Sequence, residues 1–105
     1  MKIWLDDLRK APPGYTTARS VNEAKRIIEK AEAELEEIEL IDCDHDLGDF
    51  ACDGGDGICL LDWLLERGTL YKVVLHTANP VGRDNMQRMI NRYWNKGKQL
   101  WNRIT

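Results

Sequence analysis

The sequence predicts a small α/β domain with a mainly parallel sheet flanked by helices. Short apolar runs alternate along the chain with longer segments whose apolar residues recur at three- and four-residue steps, the order of strands and helices in α/β folds. Most of the apolar runs end in polar side chains. A chain of 105 residues is long enough for one modest core but not for two, so we expect a single domain over residues 1–105.

Four runs have strand character. Residues 2–5 form a short apolar run, and residues 15–18 have strand composition but are few, which predicts an edge strand. Residues 38–43 lead into an acidic cluster, and residues 71–76 are β-branched and apolar. Helical segments between these runs favour parallel pairing of the strands.

Three segments have the pattern of helices. The first begins at a capping box of Ser20 and Glu23. Its predicted inner face is Val21, Ala24, Ile27, Ile28, Ala31 and Leu35. The second ends at Gly68, and the third has Asn79 as N-cap and Pro80 as first residue. The predicted inner face of the third is Met86, Met89, Ile90 and Tyr93.

Composition is that of an ordinary globular protein, with 43% apolar and 31% charged residues. No run approaches the roughly 20 apolar residues of a membrane span, and two acids follow the first apolar run too early for a signal peptide. The three cysteines form no C-x-x-C pair, which favours small apolar filler in a reducing compartment over zinc ligands. We therefore expect a cytoplasmic protein with no membrane partner.

Charge is unevenly spread. Of the 15 basic and 18 acidic side chains, residues 83–105 hold six basic and one acidic. Residues 96–105 are expected to form a basic C-terminal extension of the domain. Such a segment suits a phosphate-bearing partner, although a solvated helix face explains the same charges.

Polar residues follow the predicted strands at three places. Asp6 and Asp7 come directly after the first strand, and His76 ends the last one. The third strand runs into residues 42–46, which hold three carboxylates and a histidine. Because the carboxyl ends of parallel strands meet at one edge of a sheet, we expect these residues to form one site.

Carboxylates from separate strands make an oxygen-rich site for a hard divalent cation, most simply Mg²⁺ or Mn²⁺. The expected metal ligands are Asp6, Asp7 and Asp44. Asp42 is the least secure of the acids, and a purely structural role stays open for it.

Histidines exchange protons near neutral pH, so the expected catalytic residues are His45 and His76 together with Asp46. The free N–H groups at the start of the third helix suit an anion. Asn79 and Arg83 at this helix start are therefore expected to bind the phosphate of a substrate.

With these residues in view, the chain resembles the receiver (response-regulator) superfamily, in which an acidic pair closes the first strand and an acid closes the central strand. Here these are Asp6-Asp7 and Asp44. More closely, the chain resembles the cyclic-phosphate-processing receiver domains over about residues 1–93. The matching motifs are Trp4-Leu5-Asp6-Asp7-Leu8-Arg9, Asp44-His45-Asp46-Leu47-Gly48 and His76-Thr77-Ala78-Asn79-Pro80-Val81-Gly82-Arg83.

The resemblance implies a receiver-like (flavodoxin-like) fold, reduced in size, that processes cyclic phosphates. Arg9 and Thr77 lie in the matching motifs and join the expected substrate-binding residues. Two features depart from ordinary receivers: no helix fits between Asp7 and Tyr15, and no fifth strand with the usual lysine is evident. His76 also stands near the place where a receiver has a small hydroxyl residue.

The resulting hypothesis is a metal-dependent phosphoesterase that acts on a cyclic phosphate of a nucleotide or an RNA end. Its expected partner is a phosphate-containing small molecule or an RNA end, and the oligomeric state is not predicted. Two alternatives stay open. One is a signalling receiver phosphorylated on Asp44, and the other is a non-catalytic module that binds a cyclic nucleotide or an RNA end.

Overall fold

The computed structural model describes residues 1–94 of the chain. The expected basic extension of residues 96–105 lies outside the described residues. Within residues 1–94, no helix is long and apolar enough to cross a membrane.

In the described part of the chain the sheet has four parallel strands, β1 (Lys2–Leu5), β2 (Tyr15–Ala18), β3 (Leu40–Cys43) and β4 (Val73–Leu75). Their order in the sheet is β2-β1-β3-β4, so β2 is an edge strand as predicted. The chain adds strands on one side of β1 and then on the other. This reversal makes a switch point between β1 and β3, where open α/β sheets hold their ligands.

Within residues 1–94, three helices flank the sheet, which confirms the predicted fold class: α1 (Val21–Ala33), α2 (Gly57–Arg67) and α3 (Pro80–Met89). A short 3₁₀ helix, Gly48–Cys52, precedes α2, and a π-helical turn, Ile90–Trp94, follows α3. The segment between β1 and β2 contains no helix, as expected.

The predicted helix ends are confirmed by local geometry. The Ser20 hydroxyl accepts the N–H of Glu23 at 3.1 Å, which caps α1. Gly68 ends α2 in the left-handed conformation, with φ of 73°, which glycine adopts without a steric penalty. Asn79 caps α3 ahead of Pro80, as the sequence predicts.

Two predicted core positions are wrong. Leu35 lies beyond the end of α1, has φ of 58° and is 93% exposed, because the helix stops at Ala33 before the apolar repeat does. Tyr93 is exposed as well. The π-helical turn is wider than an α-helical one and so changes the direction in which successive side chains point. Trp94, instead of Tyr93, is therefore buried, and its Nε1–H donates to the carbonyl of Tyr71 at 3.0 Å.

The core lies between the three helices and one face of the sheet. Its strand residues alternate along the chain, as residues on one face must. They are Ile3, Leu5, Ala18, Ile41 and Cys43. Cys43 is thus apolar filler as predicted, whereas Cys52 is exposed and does not fill the core. The opposite face of the sheet carries Trp4 and Asp42.

Candidate functional site

Three polar residues stand in one row across the carboxyl edge of the sheet. The last paired residues of β1, β3 and β4 are Leu5, Cys43 and Leu75. The residues that follow them are Asp6, Asp44 and His76. Backbone pairing continues into this row, because the N–H of Asp44 donates to the Leu5 carbonyl at 2.9 Å and that of His76 to the Cys43 carbonyl at 3.0 Å. The register therefore brings together three residues that are far apart in the sequence.

The ring of His76 is held from three sides. Its Nδ1 lies 2.6 Å from Oδ1 of Asp42, and its Nε2 lies 2.9 Å from Oδ2 of Asp6. The ring of Trp4 stacks on it with a centroid distance of 3.8 Å and an interplanar angle of 3°. Trp4 and Asp42 each stand two residues before a member of the row and so share its face of the sheet. Asp42 therefore contacts the row through the ring of His76.

Asp6 is buried, with 1% of its surface exposed, yet its carboxylate has several partners. Its Oδ1 accepts the N–H of Leu8 at 2.9 Å and the N–H of Arg9 at 2.8 Å. Burial raises the pKa of Asp6, whereas the hydrogen bonds from the two N–H groups and from His76 lower it. The lowering effects are larger in sum, so the pKa lies below its usual value. Asp6 is therefore ionised at neutral pH, the form in which a carboxylate binds a metal ion.

Asp44 is also buried, and its backbone lies directly against the start of α2. Its Oδ1 accepts the N–H of His45 at 2.8 Å. A Cβ at Gly57 would lie 1.9 Å from the Asp44 carbonyl oxygen, and the Gly57 N–H donates to the His45 carbonyl at 2.7 Å. Only glycine permits this contact, which fixes the end of β3 against α2.

A second group lies next to the row. Nδ1 of His45 lies 2.8 Å from Oδ1 of Asp46, and the amide of Asn79 donates to both Asp46 oxygens at 3.1 and 3.2 Å. The bond from His45 holds the pKa of Asp46 below its usual value, against a smaller effect of burial. A Cβ at Gly82 would lie 2.4 Å from Cγ of the His45 ring, so Gly82 leaves space for that ring.

Asp56 completes the second group, and its ligand atom lies within 4.8 Å of those of His45 and Asp46. Sequence reasoning did not predict it. Asp56 precedes Gly57 and its Oδ1 accepts the N–H of Leu47 at 3.1 Å. In the sequence it has the form of a helix cap, which gives no sign of a functional role.

The predicted metal ligands are brought together only in part. Ligand atoms of Asp6, Asp44 and His76 lie within 4.8 Å of one another, whereas Asp7 belongs to no such group in residues 1–94. Its Oδ2 lies near Gly48, where a Cβ would be 2.6 Å away. β1 ends at Leu5 and the chain bends at Asp7, which places the Asp7 carboxylate beside Gly48 instead of in the row. The structure thus puts His76 in the place predicted for Asp7.

Two arginines fix the segment after β1. Nη1 of Arg9 donates to the His76 carbonyl at 3.3 Å, which brings this predicted substrate-binding residue to the site. Nη1 of Arg19 donates to the carbonyls of Asp6 and Arg9, each at 2.9 Å. Arg19 was not singled out from the sequence, where nothing separates it from an ordinary surface arginine. Its two bonds hold the loop that carries Leu8 and Arg9.

The start of α3 differs from the prediction. Oδ1 of Asn79 accepts the N–H groups of Val81 and Gly82, each at 3.1 Å, and the Asn79 N–H donates to the buried hydroxyl of Thr77 at 3.1 Å. The expectation that these N–H groups are free is therefore wrong, because they are paired within the chain. Binding of an anion at this helix start stays a prediction. Arg83 is exposed in the first turn and has no side-chain partner within residues 1–94. Substrate contacts of Asn79 and Thr77 stay predictions.

The chemistry of the row fits a divalent metal ion. Neighbouring ligand atoms around an octahedral ion with bonds of about 2.1 Å lie about 3 Å apart. His76 Nε2 and Asp6 Oδ2 lie 2.9 Å apart, at hydrogen-bond distance, and an ion held by both atoms would replace that bond. Metal-binding histidines usually donate their other ring N–H to a carboxylate, and Asp42 is placed to accept it.

A four-stranded parallel sheet with acids at the ends of β1 and β3 defines a receiver-like α/β domain. A family model described as "Cyclic-phosphate processing Receiver domain" matches residues 1–92, and the chain belongs to this family. Comparison with curated proteins and with solved structures gave no match.

Proposed function

We propose that this protein is a metal-dependent phosphoesterase that opens a cyclic phosphate on a nucleotide or an RNA end. The observation that carries the proposal is the row of Asp6, Asp44 and His76 at the switch point of the sheet, with Asp42 behind His76. Family membership supports the cyclic phosphate as the chemical group concerned. The composition of the row supports the metal ion.

Asp6, Asp44 and Nε2 of His76 would hold the ion. Carboxylate oxygens suit Mg²⁺ and Mn²⁺ alike, and an imidazole nitrogen suits the softer transition metals, so Mn²⁺ is the better match. Such an ion, when bound, polarises the phosphate and makes its water a stronger nucleophile. Asp42 accepts a bond from Nδ1 and thereby keeps Nε2 as the nitrogen that faces the ion.

His45 is the histidine that exchanges a proton with the substrate in this proposal. Its Nδ1 is paired with Asp46, while Nε2 has no partner within residues 1–94. In the reaction, a water oxygen forms a bond to phosphorus, the bond from phosphorus to one ribose oxygen breaks, and that oxygen takes a proton from Nε2 of His45. The attacking water releases one proton to solvent, and His45 takes up a proton from solvent again. The product is a phosphate monoester with a free ribose hydroxyl. Asn79 fixes Asp46, and so holds the His45 ring indirectly.

Two arginines supply positive charge near the acids. Arg9 lies beside Asp6, with Nε 3.8 Å from Oδ2, and half of its side chain is exposed. Arg83 is exposed in the first turn of α3. Guanidinium groups bind phosphate oxygens through paired N–H donors, so both arginines suit the non-bridging oxygens of the substrate.

The test is turnover of nucleoside 2′,3′-cyclic and 3′,5′-cyclic phosphates and of an RNA with a cyclic phosphate end, each with Mg²⁺ or Mn²⁺. We expect a monoester product from the wild type and loss of product in His45→Ala and His76→Ala. Asn85→Ala, an exposed change on α3, is the matched control and should retain activity. Absence of product from the wild type across the panel would overturn the proposal.

The two alternatives are outcomes of parallel measurements. Binding of a cyclic nucleotide without turnover would favour a non-catalytic module. A phosphoryl group added to Asp44 by a small phosphodonor, detected by intact mass, would favour a signalling receiver. No particular contact within residues 1–94 favours either of them over the phosphoesterase.

A further inference from the structure

Leu35 is exposed just after α1, in a backbone conformation that favours glycine. Its side chain is 93% exposed and its φ is 58°. The N–H of Leu35 donates to the Glu32 carbonyl at 3.1 Å, and the N–H of Glu36 donates to the Ala31 carbonyl at 2.8 Å. These two bonds form a Schellman motif, in which glycine is usual at the position of Leu35. A large apolar side chain is therefore held in solvent at a fixed place, although neither its conformation nor its exposure favours leucine.

A cavity lies beside Leu35, because its two neighbours in the chain, Glu34 and Glu36, both line it. The volume of the cavity is about 190 Å³. The other lining residues are the apolar Met1, Ile27 and Ala31 and the polar Thr16 and Lys30. An apolar cavity of about 150 Å³ is large enough to hold benzene, so this one has room for a large apolar side chain.

Glutamates surround the exposed leucine. Glu34, Glu36 and Glu37 are exposed, and none of them has a side-chain partner within residues 1–94. Leu35, these three glutamates and the cavity are called the Leu35 surface below. A partner that fits this surface carries an apolar side chain for the cavity and positive charges for the glutamates.

The segment that follows the described residues has this composition. Residues 95–105 contain three basic side chains and no acid, and their large apolar residues are Leu100, Trp101 and Ile104. We propose that residues 95–105 bind to the Leu35 surface of the same chain, with an apolar side chain in the cavity and the basic side chains against the glutamates. The surface lies at the amino ends of the strands, away from the row, so the proposal does not depend on the proposed function.

The segment also begins close to this surface. Trp94 donates its Nε1–H to the carbonyl of Tyr71 at 3.0 Å, and the Tyr71 hydroxyl donates to Glu32 near the end of α1. Glu32 stands three residues before Leu35. A segment of this length spans about 36 Å when extended, about three times the width of a helix. Binding within one chain is therefore favoured over binding to a second copy, because Trp94 holds the segment at a high effective concentration beside the surface.

The test measures amide hydrogen exchange of residues 95–105 in the full chain by mass spectrometry. A synthetic peptide of the same eleven residues gives the rate of the free segment. The variants are Leu35→Gly, in which glycine suits the φ of 58° and should keep the fold, and Val81→Ala. Val81 is 70% exposed in the first turn of α3, which follows the carboxyl end of β4, and so serves as the matched control.

We expect residues 95–105 of the wild type and of Val81→Ala to exchange about tenfold more slowly than the peptide, the order expected when one large apolar side chain is buried. Leu35→Gly should return most of this slowing to the peptide rate without a lower melting temperature. High salt should weaken the slowing, because it screens the charges.

Three results would overturn the proposal. They are exchange at the peptide rate in the wild type, equal slowing in the wild type and Leu35→Gly, and slowing that grows with protein concentration. The last of these would mean that the segment binds to a second copy. Slowing that salt leaves unchanged would contradict the pairing of the basic residues with the glutamates.

Discussion

Oδ1 of Asp42 lies 2.6 Å from Nδ1 of His76. On the other side of the ring, Nε2 of His76 lies 2.9 Å from Oδ2 of Asp6. The imidazole therefore lies between two carboxylates from neighbouring strands. Trp4 covers one face of the ring and leaves it little freedom to turn. The histidine is positioned before any ligand arrives, which is what a metal site or a catalytic site requires.

The first prediction concerns Asp42. Asp42→Asn keeps the size of the side chain but removes its charge. Without a carboxylate at Nδ1, Nε2 of His76 becomes a weaker metal ligand. We expect affinity for Mn²⁺ to fall about 10- to 100-fold, with the melting temperature nearly unchanged. Calorimetric titration with Mn²⁺ measures this. Asp62→Asn, an exposed change on α2, is the control, and equal affinities of the two variants would speak against a role for Asp42.

Gly82 gives a second prediction. In Gly82→Ala the new methyl group would meet the His45 ring, whose Cγ lies 2.4 Å from the Cβ position. Alanine is the better helix former, so we expect stability to hold while kcat falls about tenfold because the ring is displaced. Asn85→Ala on the same helix should leave kcat as it is. A kcat of Gly82→Ala equal to that of the wild type would show that the position of His45 is not critical.

Arg83 and Arg88 form a matched pair for a third prediction. Both are exposed on α3, but Arg83 lies in the first turn, next to Gly82, which faces the His45 ring, and Arg88 lies in the last turn. We expect Arg83→Ala to raise KM about five- to tenfold, through the loss of one charged contact with phosphate, and Arg88→Ala to leave KM unchanged. Steady-state kinetics at low salt is the measurement. Equal effects of the two changes would indicate general electrostatic attraction instead.

The fourth prediction concerns stability away from the site. Glu32 on α1 accepts bonds from Arg67 on α2 and from the Tyr71 hydroxyl, and the bond from Arg67 holds its pKa below the usual 4.5. A carboxylate with a lowered pKa stabilises the fold above its unfolded pKa, and this contribution is lost as the pH falls through the folded value. We expect Glu32→Gln to cost about 1 kcal/mol at neutral pH.

Urea unfolding of the wild type and Glu32→Gln at several pH values checks this. The difference in unfolding free energy should shrink as the pH falls below 4.5, where Glu32 of the wild type takes up a proton. Glu29→Gln, exposed on the same helix, is the control and should show no such trend. A difference that stays constant down to about pH 3 would mean that the charge of Glu32 contributes nothing.

The arrangement of strands and helices could be predicted because each element carries a local signal. The apolar runs, the cap at Ser20 and the glycine at position 68 each specify their own part of the chain. Parallel pairing then places the strand ends at one edge, so Asp6, Asp44 and His76 could be expected to meet. Local patterns do not specify the exact end of a helix. The apolar repeat of α1 continues to Leu35, so the sequence predicts a core position for a residue that lies beyond the helix and is exposed.

The finer parts of the site depend on register and on contacts between distant segments. Whether Asp6 or Asp7 faces the row depends on where β1 ends and the chain bends, and the sequence leaves that point undetermined. Asp42 could have been found from its position two residues before Asp44 on the same face of β3. Asp56 and Arg19 make hydrogen bonds to Leu47 and Asp6, which come close to them only in the folded chain.

The central claim is that the row of Asp6, Asp44 and His76 binds a metal ion and that the protein opens a cyclic phosphate with it. The most direct measurement is ³¹P NMR of a nucleoside 2′,3′-cyclic phosphate incubated with the protein and either Mg²⁺ or Mn²⁺, because the cyclic ester and the monoester give separate signals. Mn²⁺ is removed on a chelating resin before the spectrum is taken. The account predicts that the cyclic signal is replaced by a monoester signal with the wild type, and that EDTA or Asp44→Asn prevents this. A cyclic signal that persists with the wild type in both ions, or that disappears equally fast with EDTA, would contradict it.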